Sequence, residues 1–75
     1  MTPDLCNRVR EAREARAWTQ AKLAEITGVS RKTVNTVENG IFNPSTVVAL
    51  KLADALGETV EALFWLRKAR DPQAA

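Results

Sequence analysis

A link of only three residues, Gly28-Val29-Ser30, separates two segments that both carry helix signals. Glycine is well suited to the left-handed conformation that ends a helix, and serine is a strong N-cap. A link this short cannot turn one helix back antiparallel to the other, so the two helices must cross steeply. The sequence therefore predicts a helix-turn-helix over residues 20–39.

The same punctuation recurs along the whole chain of 75 residues. Serine or threonine stands at four expected N-caps and glycine at three expected helix ends: Thr19, Ser30, Ser45, Thr59, Gly28, Gly40 and Gly57. Apolar residues at Leu5, Val9 and Ala12 add a first helix from about residue 4 to residue 16. No sustained alternating run indicates a strand. The pattern predicts one all-α domain over residues 1–75, with further helices at about 20–27, 31–39, 46–56 and 60–68 and a frayed tail at about 71–75.

Residue usage excludes several classes of function. The chain has no histidine and a single cysteine, Cys6, so a zinc site or a Cys-His or Ser-His catalytic set cannot be assembled. We therefore expect no enzyme activity, no metal, no cofactor and no small-molecule substrate. No apolar run approaches the roughly 20 residues of a membrane span, and residues 1–4 lack the apolar core of a secretory signal. The expected compartment is the cytoplasm, with no membrane partner.

The net charge of +2 is unevenly distributed. Residues 1–39 hold seven cations and five anions, whereas residues 40–75 hold four of each. The excess positive charge therefore lies in the half that contains the predicted helix-turn-helix, as expected of a half that faces phosphates.

The third predicted helix has one apolar and one donor-rich face. At about 100° per residue, Val34 and Val37 lie on one side, and the other side carries Arg31, Lys32, Asn35, Thr36 and Asn39. Arg and Lys suit guanine edges, Asn suits adenine, and Thr can contact a thymine methyl. An ordinary solvated face is the alternative, but such a face normally includes Glu or Asp. The pattern favours contact with DNA bases.

Residues 20–40 resemble the helix-turn-helix of the phage Cro/repressor family, also called the XRE family. Matching flanks, among them Trp18-Thr19-Gln20, Asn43-Pro44-Ser45 and Leu63-Phe64, extend the resemblance to about residues 7–66. The resemblance implies a lambda-repressor-like five-helix fold. It also implies a transcriptional regulator, a repressor that binds a palindromic operator in double-stranded DNA as a homodimer.

The resemblance also implies roles for individual residues. Gln20 matches a residue that contacts a phosphate and braces the recognition helix, and Arg13 and Glu38 match a buried structural ion pair. The full implied DNA-binding set is Gln20, Ser30, Arg31, Lys32, Thr33, Asn35, Thr36, Asn39 and Asn43. The loop at residues 41–43 lacks the Lys or Arg often found there, so a phosphate contact in it would come from backbone N–H groups or Asn43.

A surplus of apolar residues predicts a dimer interface. Ala49, Leu52, Ala53 and Leu56 suffice to place the fourth helix on the core, and a short fifth helix cannot bury Leu63, Phe64, Trp65 and Leu66 in one direction. The expected two-fold contact consists of Val47, Leu50, Trp65 and Leu66, because surplus apolar patches mark interfaces. The alternative is that Trp65 covers the core of the monomer.

Other functions on this fold stay open at the level of sequence. One is a DNA-binding antitoxin or a restriction-modification controller. Another is a coactivator-like interaction module that does not bind DNA.

Overall fold

Five helices and one two-stranded antiparallel sheet make up the part of the chain that this computed structural model describes, residues 5–41 and 43–67. In chain order the elements are β1 (Leu5–Asn7), α1 (Val9–Ala15), α2 (Gln20–Thr27), α3 (Arg31–Glu38), α4 (Thr46–Leu56), α5 (Val60–Leu63) and β2 (Phe64–Leu66). None of these helices has the length and apolar character needed to cross a membrane. The predicted frayed tail at residues 71–75 lies outside the described residues.

The predicted caps are confirmed at α2 to α5. In each case the side-chain oxygen of the N-cap accepts a hydrogen bond from the backbone N–H three residues later, at 3.0–3.2 Å, and the caps are Thr19, Ser30, Ser45 and Thr59. Gly28 and Gly57 end α2 and α4 with φ of 80° and 67°. Because these signals are local, the bounds of α2, α3 and α4 follow the sequence closely.

The sheet is the main departure from the sequence prediction. β1 pairs with β2 in the register Leu5 with Leu66, Cys6 with Trp65 and Asn7 with Phe64. The predicted helices at 4–16 and 60–68 are therefore wrong at their outer ends. Near the start of α1, Asn7 Oδ1 accepts from the Val9 N–H at 3.0 Å, and the residues before it remain extended. At the other end, the aromatic residues Phe64 and Trp65 favour a strand once a partner is available.

The core lies between the helices and one face of the sheet. Its largest fully buried side chains come from every helix: Val9, Leu23, Val34, Val37, Leu52, Leu56 and Leu63. Trp18 and Val29, each directly before an N-cap, pack against this cluster. These two residues thereby fix the starts of α2 and α3 against the core.

A left-handed residue turns the chain between α1 and α2. Ala17 has φ of 58°, a conformation that costs a residue with a Cβ roughly 1–2 kcal/mol. On either side of it, the Arg16 guanidinium lies over the Trp18 ring, 5.6 Å from the ring centroid. The turn thus combines strained backbone with side-chain contacts that hold it in place.

Candidate nucleic-acid interface

Helix α3 presents one face to the core and the opposite face to solvent. Val34 and Val37 are 0% and 1% exposed. Arg31, Lys32, Asn35 and Asn39 are exposed on the other side. The predicted donor-rich face is therefore accessible at these four positions.

Thr36 does not belong to that accessible face, which corrects the sequence prediction. It is 8% exposed, and its hydroxyl donates to the Thr33 backbone oxygen at 3.0 Å. Thr36 falls at the edge of the polar face, beside Val37, and the chain folds back over it because the Ile41 N–H donates to the Thr36 oxygen at 3.1 Å. Thr33 is half-buried, with its hydroxyl 2.8 Å from that of Ser30.

A buried ion pair anchors the C-terminal end of α3 to α1. Arg13 Nε donates to Glu38 Oε2 at 2.7 Å, and Arg13 Nη2 donates to Oε1 at 3.2 Å. The Glu38 side chain is 0% exposed and that of Arg13 is 11% exposed. Burial alone would raise the pKa of Glu38, but hydrogen bonds from Arg13 and Gln20 outweigh it and hold this pKa below its ordinary value. The hydrogen bond to Glu38 likewise raises the pKa of Arg13, so the pair stays ionised.

Five side chains form a closed hydrogen-bonded ring around this anchor, which we call the polar ring: Glu38, Arg10, Asn39, Asn35 and Gln20. Gln20 Nε2 donates to Glu38 Oε1 at 3.0 Å and to Asn35 Oδ1 at 3.2 Å. Asn39 Nδ2 donates to Asn35 Oδ1 at 3.0 Å, and Asn39 Oδ1 accepts from Arg10 Nη2 at 2.8 Å. Arg10 Nε closes the ring on Glu38 Oε1 at 3.4 Å. The ring holds Gln20, Asn35 and Asn39, all in the predicted DNA-binding set, in one fixed arrangement.

Arg10 is a member of this site that sequence reasoning missed. Its side chain is 48% exposed beside Asn39, so it adds a cation at the margin of the α3 face. Its position three residues before Arg13 places both on the same face of α1, and this spacing was the available signal. Asn43 lies exposed between α3 and α4, outside the polar ring.

A shallow cleft opens between the N-terminus of α2 and the first turn of α3. Its volume is about 420 Å³, and it is lined by Arg13, Thr19, Gln20, Ala21 and Arg31. The first N–H groups of a helix lack partners within the helix and attract anions, and a nearby guanidinium adds a charge-assisted donor. The cleft therefore has the chemistry of a phosphate contact. Within the described residues, no cluster of three or more His, Cys, Asp or Glu side chains could hold a metal ion.

Four large apolar side chains on α4 and β2 are also exposed. Val47 and Leu50 are 59% and 55% exposed, and Trp65 and Leu66 are 45% and 71% exposed. We call these four residues the apolar patch. A groove of about 540 Å³ adjoins it, shares Leu50 with it, and is otherwise lined mainly by Leu5, Pro44, Ala49, Val60 and Phe64.

Known proteins resemble the chain in both sequence and structure. The sequence model described as Helix-turn-helix, HTH_3, matches residues 9–63. An uncharacterized HTH-type transcriptional regulator of Bacillus subtilis, YgzD, is 40% identical over 62 residues, covering 83% of this chain and 94% of the relative. Another uncharacterized HTH-type transcriptional regulator, from Methanothermobacter thermautotrophicus, is 42% identical over 59 residues, covering 77% of this chain and 86% of the relative.

Among solved structures, the restriction-modification controller protein C.AhdI from Aeromonas hydrophila superposes with a TM-score of 0.68 at 41% identity. The match covers 72% of this chain and 82% of that one. The family match over residues 9–63 contains all of α1 to α5. The chain therefore belongs to the Cro/repressor-type (XRE, HTH_3) helix-turn-helix family of DNA-binding transcriptional regulators.

Proposed function

We propose that the protein is a repressor that binds a two-fold symmetric operator as a homodimer, with α3 of each subunit in the major groove. The observation that carries the proposal is the exposed, donor-rich face of α3. The carboxylate nearest to that face, Glu38, is fully buried and neutralised by Arg13. The face therefore approaches DNA without a competing negative charge.

The proposed contacts divide into two groups. Arg31 lies in the cleft at the N-terminus of α2, where it and Gln20 would hold a phosphate. Lys32 and Asn35 point out from the exposed side of α3 and would contact base edges. The remaining members of the proposed set flank them at the two ends of α3 and in the loop that follows: Ser30, Thr33, Asn39 and Asn43.

The apolar patch is the proposed dimer interface. Its four side chains, on α4 and β2, are each 45–71% exposed. The neighbouring groove extends the apolar area up to Leu5 and Phe64. Since one recognition helix reads few base pairs, a two-fold pair placed on half-sites about 34 Å apart gives the selectivity that a single subunit lacks.

Sedimentation equilibrium tests the dimer. Introducing lysine at two exposed patch positions, Leu50→Lys with Leu66→Lys, should convert a species of two chains into single chains while the helical circular dichroism spectrum is retained. Ile26→Lys is the matched control, because Ile26 is 43% exposed on α2, outside the patch. A double variant that still sediments as two chains, or a control that dissociates equally, would contradict the assignment.

Operator binding and its salt dependence test the DNA-binding mode. Counterion release predicts that log affinity falls linearly with log salt, by about 0.9 for each phosphate contact. Selection from random double-stranded DNA would identify the operator. A reporter gene placed downstream of this operator should be silenced when the protein is expressed. A flat salt response would favour an interaction module, and increased reporter expression would identify an activator.

A restriction-modification controller is the second candidate function. It is supported by the 41% identity and the TM-score of 0.68 to C.AhdI. The neighbouring genes distinguish the two candidates, because a controller is expected beside a DNA methyltransferase gene and an endonuclease gene. A solitary gene, or one beside an unrelated operon, would leave the general repressor as the better assignment.

A further inference from the structure

Asn35 has both lone pairs of its side-chain oxygen engaged within the protein. Gln20 Nε2 donates to Asn35 Oδ1 at 3.2 Å, and Asn39 Nδ2 donates to the same oxygen at 3.0 Å. An amide carbonyl oxygen has two lone pairs, so two donors saturate it. Of the two polar groups of the Asn35 side-chain amide, only the Nδ2 amino group is therefore available to a ligand, and this side chain is exposed.

Two charged members of the polar ring, Glu38 and Arg10, determine which way the Asn35 side-chain amide is oriented. Glu38 is an ionised carboxylate and can only accept, so the end of Gln20 at 3.0 Å from it must be the Nε2 donor. Arg10 can only donate, so the end of Asn39 at 2.8 Å from it must be the Oδ1 acceptor.

Asn39 is fixed a second time, because its Nδ2 also donates to the Asn35 backbone oxygen at 2.8 Å. Both neighbours of the Asn35 side chain on this side are therefore donors, and only an oxygen can lie between them. Turning the Asn35 amide over would place its NH₂ against two other NH₂ groups.

We propose that Asn35 offers DNA donors only, and that on the strand it contacts it therefore selects a keto base, guanine or thymine, over an amino base, adenine or cytosine. The inference rests on the proposed function, in which the exposed face of α3 reads the major groove. This donor-only contact differs from the usual pairing of asparagine with adenine, in which the asparagine oxygen accepts from N6 while its nitrogen donates to N7.

The major-groove edges of the four bases explain the preference. Guanine presents O6 and N7 and thymine presents O4, all of them acceptors for Nδ2. Adenine N7 can also accept from Nδ2, but adenine N6–H, like cytosine N4–H, would meet an amide whose oxygen is already saturated and would be left without a partner. The polar ring thus turns a side chain that commonly reads adenine into one that discriminates against it.

Selection from random double-stranded DNA tests the inference on the whole protein. The position that Asn35 reads is the one at which base preference is lost in Asn35→Ala. In the wild type we expect guanine to be accepted there on one strand, and reversing that pair, which places cytosine on the same strand, should weaken binding by about 5-fold or more. Exclusive selection of an A·T pair at that position, the pair that a bidentate asparagine reads, would overturn the inference while leaving the proposed DNA reading intact.

Other outcomes separate the inference from the proposed function. If Asn35→Ala changes no position of a selected operator, Asn35 reads no base and the inference fails alone. If the wild-type protein selects no DNA sequence, the proposed function fails as well.

Asn39→Asp tests whether the ring is the cause. The substitution keeps an acceptor for Arg10 but replaces the Nδ2 donor to Asn35 Oδ1 with an acceptor oxygen, so Asn35 Oδ1 loses one donor and is no longer held to this side. Adenine should then be accepted at the Asn35 position, with the penalty against it reduced by about 3-fold or more. Ala62→Asp, on the exposed side of α5, adds the same charge elsewhere and should leave the preference unchanged. An unaltered penalty in Asn39→Asp would overturn the role of the ring.

Discussion

Replacing Glu38 with glutamine removes the negative charge at the centre of the polar ring and leaves the side chain almost unchanged in shape. Arg13, whose side chain is 11% exposed, would then keep its positive charge in a buried position without a counter-charge. Removing one partner of such a buried pair typically costs about 3–5 kcal/mol. The free energy of unfolding of a 75-residue domain is itself about 4–11 kcal/mol. Glu38→Gln should therefore remove a large part of the total stability.

Thermal and urea unfolding, followed by tryptophan fluorescence, measure the loss. At about 4–8 °C per kcal/mol, the melting temperature should fall by at least about 12 °C. Glu14→Gln is the matched control, because Glu14 also lies near Arg13, at 3.8 Å, but its side chain is 63% exposed. The control should change the free energy of unfolding by less than about 1 kcal/mol.

The difference between wild type and Glu38→Gln should also depend on pH. The folded-state pKa of Glu38 lies below its ordinary value, so its ionised form contributes stability above the unfolded pKa of about 4.3. That contribution is lost as the pH falls through the lower folded pKa, whereas the glutamine variant has no such titration. A loss smaller than about 1 kcal/mol at pH 7, or a gap that stays constant down to strongly acidic pH, would refute the reasoning.

Three further changes follow from the geometry. Ala17→Gly should relieve the left-handed strain at φ 58° and raise the free energy of unfolding by about 0.5–1 kcal/mol in urea denaturation, whereas Ala21→Gly within α2 should lower it. Gly57→Ala should lower the melting temperature, because φ is +67° and the new Cβ would lie 3.0 Å from Arg16 Nη2; a neutral result would show that the backbone relaxes there. Arg31→Ala should weaken binding to all DNA sequences alike and reduce the salt slope by about 1, and loss of preference at a single base pair would instead make Arg31 a base contact.

Sequence alone was sufficient for the central helices because their determinants are local. The N-caps at Thr19, Ser30 and Ser45 each satisfy a backbone N–H within the first turn, and Gly28 and Gly57 end helices by conformation. These interactions involve residues a few positions apart, so they can be identified from the sequence without knowledge of the fold. The two helices joined by the three-residue link, α2 and α3, also pack against each other.

What the sequence did not reveal depends on contacts between distant residues. Leu5 and Leu66 are strand residues because they pair with each other. The apolar spacing near the N-terminus is typical of a helix, so the sequence did not indicate this pairing. Arg10 joins the site through Asn39, which is far away in the chain but adjacent in space. Thr36 was misplaced because a helical wheel gives its direction but not the chain that folds over it at Ile41.

The pairing of β1 with β2 also has a consequence for the order in which the molecule forms and opens. The strands join segments about 60 residues apart, so their ladder must wait for closure of a loop that contains every helix, whereas α2 and α3 are neighbours in the chain. A two-stranded ribbon has little stability of its own. We therefore expect the β1–β2 pairing to form last during folding and to open first in the native state. In native-state hydrogen exchange, the ladder amides Cys6 and Trp65 should exchange through a partial opening that leaves the amides of α2 and α3 protected.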